Sequence, residues 1–270
     1  MITFSVLISV YQKEKAEFFR LALDSIWEQQ TLRPSEIVLV CDGPLTPELN
    51  KVIDQFSLKA PLKVLRFEKN RGLGGALAEG LQFCSHELVA RMDSDDISVS
   101  DRFEKQVKFM MEHPEISICG TDIAEFAETK DKVCSYRRLP SNPNEILNFA
   151  RRRNPLNHMT VIFRKSEVMG AGNYRDFHGY EDYYLWIRML KNGASIGNIP
   201  ENLVYARIGN NMHSRRRGLR LFNQELKLLR ELVRIEFLSS GDYYKNLLFR
   251  AFPRLFPVWG IKLVYRILHR

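Results

Sequence analysis

Cysteine is scarce in this chain. Its 270 residues hold four, Cys41, Cys84, Cys119 and Cys134. None forms a C-x-x-C pair and no His stands at zinc-like spacing, which argues against a metal-thiolate centre. So few in so long a chain point to reduced thiols in the cytosol. Long apolar runs are missing too. Nothing reaches the roughly 18–20 residues of a membrane span. The start, "MITFSVLISVY", is apolar but lacks a basic n-region and a small-residue cleavage site, so it reads as a first strand. No linker and no internal repeat interrupts the chain. The dinucleotide fingerprint G-x-G-x-x-G is absent in complete form, because "GLGGAL" places Leu77 where the third glycine belongs.

What is present is a composition of 45% hydrophobic and 27% charged residues, ordinary for a globular protein. The length suits one large domain or two small ones. The formal charge of +8 is regional. Residues 213–270 carry 13 Lys/Arg against 4 Asp/Glu, a net of +9, and the rest of the chain is close to neutral. The basicity therefore belongs to the C-terminal tail.

The first part alternates. "FSVLISV", "EIVLVC", "LKVLRF" and "ELVARM" read as buried strands. Between them lie helical segments: "AEFFRLALDSIWEQ", with Phe18, Leu21, Ser25 and Ile26 on one face, a helix opened by Thr46-Pro47, and the small-residue run "GLGGALAEGLQFC". Ser100 caps a further helix with Phe103, Val107 and Met110 at core spacing. The alternation predicts an α/β fold, a Rossmann-like, mostly parallel sheet flanked by helices. Past about Ile116 the pattern is mixed, with short strands "ISICG", "MTVIFR", "SIGNI" and "LVYARI" around the helix "EDYYLWIRMLKN". The tail holds two amphipathic segments, the first with Phe222, Leu226, Leu229 and Val233 at helical spacing.

Ligands in such sheets bind beyond the C-terminal ends of the strands. Tyr11, Asp42, Asn70-Arg71 and Asp93-Ser94-Asp95 all fall at or just past those ends. Asp93-Ser94-Asp95-Asp96 is either a solvated acidic turn or an oxygen-ligand site for a hard divalent cation. The run from Asn70 to Gly75 is either a tight turn with a close-packed helix or a close approach to a nucleotide. Glu181-Asp182 is either acidic charge at a helix N-terminus or a carboxylate base held by aromatic neighbours. The tail's Arg interleaved with Phe, Tyr and Trp favours a membrane surface over nucleic acid.

Taken together, "SVLISVYQKE", "EIVLVCDGP", "NRGLGGALAEGL", "ARMDSDD" and "GYEDYYLW" resemble the family 2 inverting glycosyltransferases of GT-A fold, from about Phe4 to Asn210. "GNNMHSRRRG" and the tail resemble bacterial members that build O-antigen or exopolysaccharide repeat units. The resemblance implies a catalytic domain over residues 1–212, with a nucleotide-binding half to about 115 and an acceptor half to 212. The basic helical tail, 213–270, then associates with the anionic inner leaflet of the cytoplasmic membrane.

The same resemblance implies site roles. Asp93-Ser94-Asp95 matches the D-x-D motif: Asp95 binds Mn²⁺ or Mg²⁺, and Asp93 sits beside it toward the nucleoside. Tyr11 and Asp42 hold the uracil, and Arg71 contacts the base. Asp182 is the catalytic base with Glu181 beside it. Asp96 receives no role, and His213 is a candidate metal ligand that does not align clearly. The implied reaction moves a hexose, galactose or glucose, from a UDP-sugar to a sugar on undecaprenyl diphosphate. The competing readings are a nucleotidyltransferase-like enzyme and a non-catalytic membrane-surface module. No nucleic-acid partner is expected, and the sequence leaves the oligomeric state open.

Overall fold

The computed structural model describes residues 2–208 and 218–255. The chain divides into two compact units, one of residues 1–150 and 154–208, the other of residues 151–153 and 209–270.

In the first unit, β1 (Phe4–Val10), β2 (Glu36–Cys41), β3 (Leu62–Arg66) and β4 (Leu88–Met92) pair in parallel, in the order β3-β2-β1-β4. Parallel neighbours need a crossover. The crossovers carry helices α1 (Ala16–Ile26), α2 (Pro47–Ser57) and α3 (Gly72–Phe83). Side chains alternate across the sheet. Val6 and Ile8 therefore join α1 and α2 in one core, while Leu7, Val38 and Val40 join α3 in another. Gly80 lets α3 lie close to the sheet, since a Cβ there would sit 2.6 Å from Val40 and 2.7 Å from Leu7.

The sheet continues with mixed pairing. A two-residue strand β5 (Ile97–Ser98) precedes helix α4 (Arg102–Glu112), long strand β6 (Ile116–Phe126) and edge strand β7 (Val133–Arg137). Helix α5 (Pro143–Ala150), strand β8 (Ile162–Arg164), and helices α6 (Lys165–Gly170) and α7 (Glu181–Lys191) lead to β9 (Ser195–Arg207). β8 is antiparallel to β4 and β6, and β9 runs parallel to β6.

Several local expectations are corrected. "SIGNI" and "LVYARI" are one 13-residue strand, β9, whose register against β6 shifts around Asp122. The first half of "MTVIFR" is a 3-10 turn, His158–Thr160, closed where Thr160 Oγ1 and N both donate to Asn157 O. α1 buries Phe19, Ala22, Leu23, Ser25 and Ile26, leaving Leu21 exposed, because its inward arc is centred one residue later than expected. Ser100 does not cap α4. Its carbonyl accepts from Thr31 N, and the Gln30 side chain accepts from Phe103 N at the helix start. Thr46 does cap α2, accepting from Leu49 N with Pro47 next.

The second unit holds α8 (Leu219–Arg234) and α9 (Ser240–Asn246), followed by a π-helical turn, Leu247–Ala251, and a 3-10 turn, Phe252–Leu255. Ser239 and Asp242 form a capping box on α9. The buried face of α8 is Glu225, Leu228, Leu229 and Leu232, rotated from the expected stripe. The reason is ionic: fully buried Glu225 pairs with Arg250 at 2.5 Å and Arg254 at 2.6 Å. No described helix is long and apolar enough to cross a membrane.

Candidate active site

The C-terminal ends of β1, β2 and β4 bring the first group of expected residues together. Asp42 follows β2 and is buried. Its carboxylate accepts from Arg71 N at 2.6 Å, and its carbonyl accepts from Asn70 Nδ2 at 3.1 Å. That fixes the turn before α3 against the end of β2. Gly43 permits it: its φ is +92°, and a Cβ there would lie 2.9 Å from Asn70 N. The Arg71 guanidinium stacks over Phe67 at 4.3 Å. Tyr11, past β1, presents an exposed ring, and its carbonyl accepts from Glu14 N.

Glu14 is a residue that sequence reasoning passed over, although it stands in the quoted "VYQKE". Its carboxylate accepts from Ser94 Oγ at 2.8 Å, joining the loop after β1 to the acidic loop after β4. The three carboxylates of that acidic loop have different partners. Asp93 is paired with Arg91, whose guanidinium is fully buried inside β4. Asp96 is buried and accepts from Arg207 N at 2.7 Å. Arg207 also donates from Nε to Asp95 O at 3.1 Å, and its guanidinium lies over Phe18 at 3.8 Å and Phe126 at 4.5 Å. Asp96 thus ties the acidic loop to the end of β9, a structural answer for the one acid that the motif leaves without a role. Asp95 is left in unbalanced negative charge. Burial first, then Asp93 and Glu14, push its carboxyl up to about 7.

That environment fits a divalent cation. Mg²⁺ and Mn²⁺ favour oxygen donors, and a cation at Asp95 would reverse the local excess of negative charge. Among the described residues no group of three or more His, Cys, Asp or Glu is arranged to hold a metal. His213 lies outside the described residues.

The second group sits at the start of α7. Gly74 of α3 is packed against it: a Cβ on Gly74 would lie 2.9 Å from Arg175 O and 3.3 Å from Glu181 Cβ. The glycine-rich run is therefore a tight turn and a close-packed helix, and that packing brings α3 to the Glu181-Asp182 pair. Asp182 is half-buried and accepts from Asn154 Nδ2 at 2.5 Å. Loss of water, then the Glu181 charge, raise its carboxyl to about 6, against the backbone N–H of Tyr183, Asn154 and the Arg137 charge. One oxygen of Glu181 is buried with no hydrogen-bond partner among the described residues.

Charges from both groups act on buried Tyr174. Burial first holds its hydroxyl well above the usual phenol range, and the charges of Arg91, Asp182, Glu181 and Asp93 all act on it. Tyr174 OH bonds His158 Nε2 at 3.0 Å, and both rings pack edge-on to Trp186. Burial, then Arg91, keep His158 neutral, well below its ordinary pKa. Sequence reasoning missed Asn154, His158 and Tyr174, which lie in stretches without a local pattern. Arg91 did leave a signal, as a lone charge inside the apolar strand "LVARM".

An α/β sheet with an acidic loop beyond the C-terminal ends of its parallel strands places a polar site where ligands of such sheets bind. Comparison with known proteins gives the particular family. Residues 5–167 match the family described as glycosyl transferase family 2, and the chain belongs to it. An uncharacterized glycosyltransferase of Haemophilus influenzae is 46% identical, covering 97% of both chains. The amylovoran biosynthesis glycosyltransferase AmsE of Erwinia amylovora is 42% identical, with 97% of each covered. The UDP-Gal:alpha-D-GlcNAc-diphosphoundecaprenol beta-1,3-galactosyltransferase of Escherichia coli is 38% identical over 94% of this chain and 92% of its own.

Two solved structures share the GT-A fold. Staphylococcus aureus TarS 1-349 in complex with UDP-GlcNAc superposes with a TM-score of 0.69 at 19% identity, covering 91% of this chain and 70% of that one. The Pyrobaculum calidifontis mannosyltransferase PcManGT, in complex with GDP-Man and Mn²⁺, gives 0.66 at 15% identity, over 93% and 70%. The chain is a glycosyltransferase, so the nucleotidyltransferase and non-catalytic readings are set aside.

Proposed function

We propose that this glycosyltransferase moves a hexose, galactose or glucose, from a UDP-sugar to a sugar carried on a lipid diphosphate. The step belongs to bacterial surface-polysaccharide assembly, and the anomeric configuration inverts. The names of the E. amylovora and E. coli relatives support the pathway class and the acceptor type. The observation that carries the chemistry is Asp182, a carboxyl raised to about 6 and held by a hydrogen bond from Asn154 Nδ2 at the start of α7.

In this reading Asp42, Arg71 and Tyr11 hold the base, Ser94 and Asp93 line the nucleoside side, and Asp95, with Asp93 beside it, holds Mn²⁺ or Mg²⁺. When bound, the metal offsets charge developing on the departing diphosphate. Asp182 accepts the proton of the acceptor hydroxyl. The hydroxyl oxygen bonds to the anomeric carbon as the bond from that carbon to the UDP oxygen breaks. UDP leaves with the electron pair, and one proton rests on Asp182. Arg91 keeps Asp93 oriented, and Glu181 keeps the pKa of Asp182 raised. The basic tail unit places the enzyme on the anionic inner face of the cytoplasmic membrane.

UDP release tests this. With UDP-galactose or UDP-glucose, Mn²⁺ and a GlcNAc-diphosphate-lipid acceptor, the wild type turns over and Asp182→Asn loses on the order of 10²- to 10⁴-fold in kcat. Equal rates in the two proteins would remove Asp182 as base.

A further inference from the structure

We infer that Glu14 is a positioning residue for the cation site: its carboxylate, anchored at the start of α1, props the acidic loop through Ser94 and so presents Asp95 to the metal already in place. This rests on the metal role proposed for Asp95 above. The strut is fixed at both ends. Glu14 N donates to Tyr11 O at 3.1 Å, which closes the turn after β1. One carboxylate oxygen, Oε1, accepts from Lys15 N at 2.8 Å, and the amides of Phe18 and Phe19 donate to Lys15 O as α1 begins. The other oxygen, Oε2, accepts from Ser94 Oγ at 2.8 Å. Ser94 is buried and stands between Asp93 and Asp95.

The start of α1 holds the acidic loop a second way. The Arg207 guanidinium lies over Phe18 of α1 at 3.8 Å. Arg207 Nε donates to Asp95 O at 3.1 Å, and Arg207 N donates to Asp96 Oδ1 at 2.7 Å. Asp93 pairs with Arg91. Each residue from Asp93 to Asp96 is therefore tied by its own contact, and a cation meets a loop that is already gathered. Hydrogen bonds behind a metal ligand set its orientation, and losing one weakens metal binding roughly 10- to 100-fold. A plainer role for Glu14 is an acid favoured by the dipole at the start of α1. That role needs no partner on the acidic loop, so Ser94 would not matter to it.

The test titrates Mn²⁺ alone into the full chain, without nucleotide, and follows binding by water-proton relaxation. Wild type binds and Asp95→Asn does not. Ser94→Ala weakens Mn²⁺ binding about tenfold, and Glu14→Ala weakens it at least as much. The double variant binds no more weakly than Glu14→Ala, because both changes break one contact. Glu14→Asp keeps the charge but is one methylene short of Ser94, so it loses affinity as Ser94→Ala does. Unchanged affinity in Ser94→Ala, losses that multiply in the double variant, or wild-type affinity in Glu14→Asp would overturn the strut. A wild type that binds no Mn²⁺, or binding that survives Asp95→Asn, would instead sink the metal role of Asp95, and the strut with it.

Discussion

At the scale of single residues, the site sorts like charges by giving each carboxylate a different partner. Asp93 has Arg91, Asp96 has the Arg207 amide, Ser94 ties in Glu14, and Asp95, proposed above to hold the cation, has its carboxyl raised by burial, Asp93 and Glu14. Asp182 is raised by burial and Glu181, with Asn154 restraining the shift. A base works only when ionised, and its ionised fraction grows as pH rises through its pKa. The rate therefore climbs through about pH 6 and levels above it. Asn154→Ala removes a hydrogen bond that favours the carboxylate, so this acid limb moves to higher pH. A profile of kcat against pH checks it; a limb that stays put or moves down counts against the contact. Of these residues, Asp93, Asp95 and Asp182 were legible because they stand in short acidic motifs at element ends. Asn154 and Tyr174 were not, because what matters about them is a tertiary contact 28 residues away in one case and a shared electrostatic field in the other.

At the scale of elements, the βα alternation of the first part was readable because parallel strands buried on both faces are continuously apolar. The second half was harder. β9 runs through Pro200, Glu201 and Asn202, where polar residues and a proline looked like a break. A register shift against β6 absorbs them. α8 was misjudged by a rotation, since no periodicity rule places a Glu inside; only Arg250 and Arg254, 25 and 29 residues on, make Glu225 a core residue. Those two arginines are spent on the interior, so the surface charge of the tail is smaller than its sequence suggests. Exposed Arg151, Arg152 and Arg153 join the same unit from far upstream, with Arg151 O accepting from Asn246 Nδ2 at 3.0 Å.

Tyr244 on α9, and Leu248, Phe249, Phe252 and Leu255 on the turns after it, are exposed. Aromatic and aliphatic side chains with basic neighbours suit an anionic bilayer surface. The full chain should therefore sediment with phosphatidylglycerol vesicles, less so with phosphatidylcholine and at high salt. Leu248→Glu with Phe249→Glu should weaken it at least tenfold, about 0.8 kcal/mol per buried methylene being lost. Undiminished binding by that variant would move the contact elsewhere in the chain.

At the scale of the whole molecule, a GT-A unit and a second, helical unit share one chain; the resemblance of the motifs implied the first, and the regional charge drew attention to the tail. The proposal that joins them is a single displacement from a UDP-sugar. Its most direct test is the configuration of the product. Direct displacement from α-linked UDP-galactose or UDP-glucose yields a β-linked disaccharide on the diphosphate lipid, read from the anomeric proton coupling by NMR. An α-linked product would contradict direct displacement by an acceptor activated at Asp182.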